Sequence, residues 1–158
     1  MPFVTRTQNT KGPTTMKIAA NAQPIGGRYE GSCHCGAVRF EVELEENATA
    51  GRCNCSICTK TAMTGGIVKP SAFVLRSGEE ALATYAWASK MSTRYFCKHC
   101  GVHCFGKGYL AELGGDFVSV NWNCLDGIDV WQVPVVHWDG RHDNWHAGPR
   151  DTPWPIFS

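Results

Sequence analysis

Seven of the nine cysteines fall in three short runs, Cys33-His34-Cys35, Cys53-Asn54-Cys55-Ser56-Ile57-Cys58 and Cys97-Lys98-His99-Cys100, and no other feature restricts the fold as strongly. Thiols one or two residues apart can be offered to a single metal ion by one tight turn. An odd total of nine excludes complete pairing as disulfides. In a reducing cytosol such a series reads as thiolate ligands rather than a disulfide framework. Thiol redox chemistry would use the C-x-x-C pairs as disulfides, and ligand spacing in every run argues against it.

The three runs do not read alike. Cys33 and Cys35 precede Gly36, and Cys97 and Cys100 precede Gly101. Two such pairs, distant in sequence and each followed by a glycine, are the usual halves of a four-cysteine zinc site built from two hairpin turns. The glycine takes a positive φ and lets backbone N–H groups point back at the sulfurs. This site is expected to be structural, clamping an early hairpin to a later one. The run Cys53, Cys55, Cys58 supplies three thiols. A structural zinc has four protein ligands, whereas a catalytic one keeps three and leaves a position for water or substrate. The open reading is expected here. The alternative is a second closed site completed by His99, His103 or Cys104. Three thiolates on a divalent ion leave a local charge of −1, a poor polariser of carbonyls. Such a site still lowers the pKa of a bound thiol, so the natural chemistry is attack of a thiolate on a small electrophile.

A chain of 158 residues is long enough for one domain with its own core. Residues 1–27 are rich in Thr, Asn, Gln, Lys, Pro and Gly and read as a flexible leader. Residues 28–158 then form a single zinc-binding domain. Val38, Phe40, Val42 and Leu44 alternate with Arg39, Glu41, Glu43 and Glu45, which predicts a strand with one buried face. A short strand is expected to lead into Cys53, a single helical turn over 56–61, and a break at Gly65-Gly66. Short β-prone segments follow at 67–69, 72–76, 82–85, 93–96, 103–106 and 117–122, so the chain is mostly β, an antiparallel meander.

Other polar and sulfur groups have blander readings. His34 and His99 are expected to point outward, and His103 and Cys104 to alternate, one of them facing inward. Cys104 and Cys124 read as core thiols. From Val135 the tail carries three of the six Trp and three of the six His, and reads as an aromatic flap over the sheet. His137, His142, His146, Asp139 and Asp143 are taken as its surface residues, and the tryptophans as ordinary packing. Fifteen Lys and Arg against fourteen Asp and Glu give +1 with no basic block. Nucleic acid is therefore not an expected partner. The sequence has no run of about twenty apolar residues and no secretory signal pattern. No membrane association and a cytoplasmic location are expected.

The stretches Gly31-Ser32-Cys33-His34-Cys35-Gly36-Ala37-Val38-Arg39-Phe40, Cys53-Asn54-Cys55-Ser56-Ile57-Cys58 and Phe96-Cys97-Lys98-His99-Cys100-Gly101 together resemble the glutathione-dependent formaldehyde-activating family, which includes centromere protein V. Order and spacing agree for all seven cysteines, over about residues 28 to 125. The resemblance implies a zinc-bound β-tent (Mss4-like) fold and two zinc ions per chain. It implies a structural zinc on Cys33, Cys35, Cys97 and Cys100 and a catalytic zinc on Cys53, Cys55 and Cys58. The implied partners are a small thiol such as glutathione and an aldehyde such as formaldehyde, joined by a carbon–sulfur lyase acting as a synthase. The other function class is a non-enzymatic zinc module for a protein or nucleic acid partner, which a basic face or tail would favour.

Overall fold

The computed structural model describes residues 24–157. In chain order the strands are β1 (Gly27–Ser32), β2 (Arg39–Leu44) and β3 (Ala50–Cys53), followed by the short helix α1 (Ser56–Thr61). Then come β4 (Gly65–Val68), β5 (Phe73–Ser77), β6 (Leu82–Ala86), β7 (Ser92–Cys97), β8 (His103–Leu110), β9 (Gly115–Asn121) and β10 (Val135–Trp138). Of the leader assigned to residues 1–27, Pro24 is exposed, Ile25 is buried and β1 starts at Gly27, while residues 1–23 lie outside the described residues. Among the described residues no helix is long and apolar enough to cross a membrane.

The protein is mostly β, as expected, but its strands form two sheets rather than one meander. One sheet has the order β1-β2-β5 and the other β10-β3-β4-β9-β8-β7-β6. The pairings are antiparallel except β10 on β3, where Val135–Trp138 runs parallel to Ala50–Cys53. The helical turn ends at Thr61, ahead of Gly65-Gly66 as expected, and Gly65 starts β4, wedged between β3 and β9. Glycine is needed there because the Val120 carbonyl of β9 occupies the space a Cβ on Gly65 would fill. The glycine pair that follows the helical turn therefore also serves a close backbone approach inside a sheet.

Strand β2 follows the period-two pattern: Phe40, Val42 and Leu44 are buried while Arg39 and Glu43 are exposed. Its buried face meets the other sheet through an aromatic cluster. Phe40 and Phe73 lie 5.4 Å apart, Phe73 and Phe105 4.7 Å, and Phe105 stacks on Tyr95 at 5.0 Å. Such rings contribute both area and preferred geometry. They fix β2 and β5 of the small sheet against β7 and β8 of the large one. This brings the turn after β1 beside the turn after β7.

In β8 both His103, 9 % exposed, and Cys104, fully buried, are shielded from solvent. The register of β7 on β8 shifts here: Phe96 pairs with His103 but Tyr95 pairs with Phe105. Cys104 is the extra residue, and such a bulge cancels the strict two-residue period.

Candidate functional site

The turns after β1 and β7 are near copies of each other. Gly36 and Gly101 both adopt φ +76°. The Gly36 N–H donates to the Cys33 carbonyl at 3.0 Å, and the Gly101 N–H to that of Cys97 at 2.7 Å. Each turn is closed across its neck by a second bond, Cys33 N–H to Val38 O at 3.1 Å and Cys97 N–H to Val102 O at 2.9 Å. Glycine at the left-handed position is what makes both turns possible. The Val38 N–H also points at the Cys33 sulfur, 3.3 Å away. The result is a cluster of Cys33, Cys35, Cys97 and Cys100 whose sulfurs all lie within 4.8 Å of one another. The Cys35 sulfur is 3.6 Å from that of Cys33 and 3.7 Å from that of Cys97. Backbone N–H groups directed at Cys100, that of Val102 foremost, hold its thiol down to about 6. These four donors could hold a metal ion. His34 and His99 point outward, as the sequence predicts, and Cys104 and Cys124 are core thiols.

The sulfurs of Cys53, Cys55 and Cys58 form a second set within 4.8 Å, also able to hold a metal ion. Cys53 ends β3, and Cys55 and Cys58 flank the start of α1, which spans 56–61 as predicted. Thr59 holds the loop from both sides, its N–H donating to the Cys55 carbonyl at 2.9 Å and its hydroxyl to the Asn54 carbonyl at 3.0 Å. Among the described residues no fourth His, Cys, Asp or Glu joins the set. His99 is exposed, and Cys104 lies beside Cys124, next to the four-cysteine cluster. His103 donates from Nε2 to the Phe105 carbonyl at 3.1 Å. Burial first, and the Arg94 charge second, push its pKa down to about 4, so it is a neutral imidazole near pH 7. Its Nδ1 is buried without a partner.

Three thiols this close cannot all ionise without a cation. Hydrogen bonds from the Cys53 and Cys58 thiols, with the Arg94 charge behind them, hold Cys55 far below its ordinary value. The same contacts and the adjoining negative charge push Cys58 far up. Cys53 is raised as well, chiefly by its bond to Cys55. One thiolate is thus solvated by two thiols and by an arginine whose Nη2 lies 3.8 Å from the Cys58 sulfur. A divalent cation is what lets all three lose their protons.

The tail forms the wall of this loop. Trp138 pairs with Cys53, and the Asn54 N–H donates to the Trp138 carbonyl at 3.2 Å. Gly140 lies so close that a Cβ there would be 2.5 Å from the Cys53 sulfur and 2.7 Å from the Trp145 ring. The Asn54 side chain, between two of the cysteines, joins loop to tail. Its Nδ2 donates to Asp139 Oδ1 at 2.7 Å and to the Pro155 carbonyl at 3.1 Å, and its Oδ1 accepts from the Arg141 N–H at 2.8 Å. His142 Nδ1 donates to the same Asp139 oxygen at 2.7 Å and Asn144 Nδ2 to the other at 3.2 Å. Burial alone would raise Asp139, but these three bonds outweigh it and hold the carboxyl below its ordinary range. Asp139 is therefore not a surface residue of the tail, as its spacing suggested; it is 4 % exposed. Nor are the tryptophans ordinary packing throughout: Trp122 is buried, while Trp131 is 80 % and Trp145 52 % exposed. The tail is not a flap over the sheet but an extra edge strand with a loop folded against the cysteines.

A cavity of about 630 Å³ opens beside the three thiols, lined among others by Arg52, Cys53, Cys58, Thr64, His103 and Trp131. This lies within the range of about 300–1,000 Å³ for small-molecule sites. Sequence reasoning found all seven cysteines but not Arg52, Asn54, Arg94, Asp139 or Gly140. The one available signal was position, since Arg52 and Asn54 flank Cys53 directly.

A mostly β fold carries a four-thiol cluster and a separate three-thiol loop beside a cavity, and either set of thiols could hold a metal ion. The sequence profile described as glutathione-dependent formaldehyde-activating enzyme matches residues 28–139, and the chain belongs to that family. A Halomonas elongata relative is 38 % identical over 79 residues, covering 45 % of this chain and 50 % of its own length. One from Penicillium rubens is 35 % identical over 125 residues, covering 70 % of this chain and 61 % of its own. Both carry the name "Putative glutathione-dependent formaldehyde-activating enzyme". The chain thus spans about half to three-fifths of the length of these curated relatives. A crystal structure of a Rhodobacter sphaeroides protein superposes with a TM-score of 0.58 at 30 % identity, covering 67 % of this chain and 98 % of that one.

Proposed function

We propose that the protein is a zinc-dependent carbon–sulfur lyase working in the synthetic direction, joining a small thiol of the glutathione kind to formaldehyde or a similar small aldehyde. The observation that carries this is the contrast between the two cysteine sets. Four sulfurs converge in one, whereas three converge in the other, with no further ligand among the described residues and a cavity alongside. All-sulfur sets of four and three fit zinc, a borderline-soft ion that is tetrahedral in closed sites and keeps a vacant position in catalytic ones. In this reading Cys33, Cys35, Cys97 and Cys100 hold a structural ion, and Cys53, Cys55 and Cys58 a catalytic one. Zinc at the second set would make a small thiol available as its thiolate at neutral pH while leaving the sulfur electron-rich.

The reaction balances without redox partners. The thiol sulfur forms a bond to the aldehyde carbon, the carbonyl π pair moves to oxygen, and the thiol proton ends on that oxygen as the hydroxyl of the product. The chain's own groups contribute position and charge. Arg94, held beside Cys58, offsets negative charge in the loop. Neutral His103 lines the cavity without adding a second positive charge. Asn54 and Asp139 hold the loop against the tail. Free thiols at this density require a reducing compartment, which supports a cytoplasmic location.

The test is exchange between formaldehyde and glutathione followed by NMR, comparing the native protein with Cys55→Ala. Because the addition proceeds without a catalyst, the difference between the two proteins is the readout. Faster exchange with the native protein is expected. Equal rates across several thiols and aldehydes would remove the lyase assignment.

A further inference from the structure

Arg52 stands immediately before Cys53 in β3 and shares the cavity wall with Cys53 and Cys58. Its Nε donates to the Thr64 hydroxyl at 2.8 Å, and Thr64 is itself 2 % exposed. The guanidinium is therefore held in one orientation by a buried partner. Its Cζ lies over the Trp131 ring, 5.7 Å from the ring centre. Among the described residues the ion pairs are Arg28 with Glu41, Arg76 with Glu41 and His142 with Asp139. Arg52 takes part in none of them, and no Asp or Glu lines the cavity. Arg94, the other arginine near the thiols, is directed at the Cys58 sulfur instead.

An arginine that is fixed through Nε, faces a cavity and lacks an acidic partner is suited to bind an anion brought by the ligand. The remaining N–H groups of the fork match the two oxygens of a carboxylate, and an oriented side chain loses little entropy on binding. A carboxylate carries a single charge, which one guanidinium balances. A phosphate dianion would leave a net negative charge beside a loop already rich in thiolate.

We propose that Arg52 forms a carboxylate subsite that makes the cavity selective for small thiols bearing an acid group, with Thr64 and Trp131 as its positioning residues. The selection of thiols rests on the proposed function; the selection of the carboxylate rests on Arg52 alone. Neutral thiols of the same size fit the cavity but lose the charge-assisted bonds.

The metal-loaded full chain is titrated, by calorimetry, with a short homologous series of ω-mercaptocarboxylates, each beside its neutral carboxamide. The best-fitting acid is expected to bind about tenfold or more tightly than its amide, in line with hydrogen bonds between charged groups. Arg52→Gln is expected to abolish that preference, lowering the acid's affinity far more than the amide's. Arg52→Lys, which keeps the charge but not the fork, is expected to retain part of it and guards against a folding defect in the glutamine variant. The matching S-methyl thioether acids separate the two layers of the argument. If the thioethers show the Arg52-dependent preference while the thiols gain nothing over them, the thiol reading falls and the carboxylate subsite stands. Equal binding of acid and amide by the native protein, or an undiminished preference in Arg52→Gln, overturns the subsite. Inorganic phosphate competing as well as the thioether acid also overturns it, since the site would then be a general anion site.

Discussion

The two cysteine sets hold the same kind of donor but are built in opposite ways. The four-cysteine cluster is made from two copies of one turn, each with glycine at φ +76°, and its supporting bonds come mainly from its own turns, such as Val38 N–H to the Cys33 sulfur. The three-cysteine loop depends on distant parts of the chain. Arg94 reaches it from β7, Trp138 pairs with it from β10, and Gly140 presses on Cys53. A self-sufficient cluster suits a clamp between two sheets. A loop whose surroundings come from elsewhere can combine a cavity, a charge and an incomplete ligand set.

The largest expected effect breaks the clamp. Cys97→Ala removes a fully buried member of the four-cysteine set. Structural zinc binding in small domains contributes about 10–16 kcal/mol, as much as the whole stability of about 5–15 kcal/mol of a typical native protein. Cys97→Ala and Cys33→Ala should therefore give no soluble folded protein, read from soluble yield and near-UV circular dichroism. Cys55→Ala, by contrast, should leave a folded chain with one fewer metal ion by elemental analysis. A native protein that holds one ion or none would break the comparison at its base.

Gly140→Ala sharpens it from the tail side. The added methyl meets the Cys53 sulfur and the Trp145 ring, so the tail or the loop must shift, at about 1–3 kcal/mol for overpacking. Looser metal at the three-cysteine set, with the four-cysteine set unaffected, is the expected result of a chelator titration.

A further effect, confined to acidic pH, comes from His103. Its folded pKa of about 4 lies below the ordinary histidine value, so the unfolded chain binds the extra proton first. Its contribution is complete above about pH 6.5, declines as pH falls and levels off below about pH 4, a loss of about 3 kcal/mol. His103→Gln should flatten that part of the stability curve relative to the native protein. Thiolate protonation acts on both proteins and cancels in the difference.

What the sequence made legible was local. The cysteine spacing, the glycine after each pair, the alternation in β2 and the helical turn at 56–61 all follow from short-range geometry, and the structure carries each of them. What it concealed was produced by contacts between distant segments. Nothing local shows that Gly65 lies against the Val120 carbonyl, and the bulge at Cys104 depends on its partner strand. Asp139 looks solvated until Asn54, His142 and Asn144 converge on it. The tail's parallel pairing with β3 joins residues more than eighty positions apart, which no periodicity records.

The central claim is that the Cys53, Cys55, Cys58 set has an open position and the other set does not. It is tested most directly by replacing zinc with cobalt and adding a small thiol such as glutathione. A thiolate-to-metal charge-transfer band should grow with added thiol, saturate at one equivalent per chain, and be absent from Cys55→Ala, which keeps the unchanging spectrum of the four-cysteine centre. A native spectrum that does not respond to thiol, or a response that survives in Cys55→Ala, would contradict it.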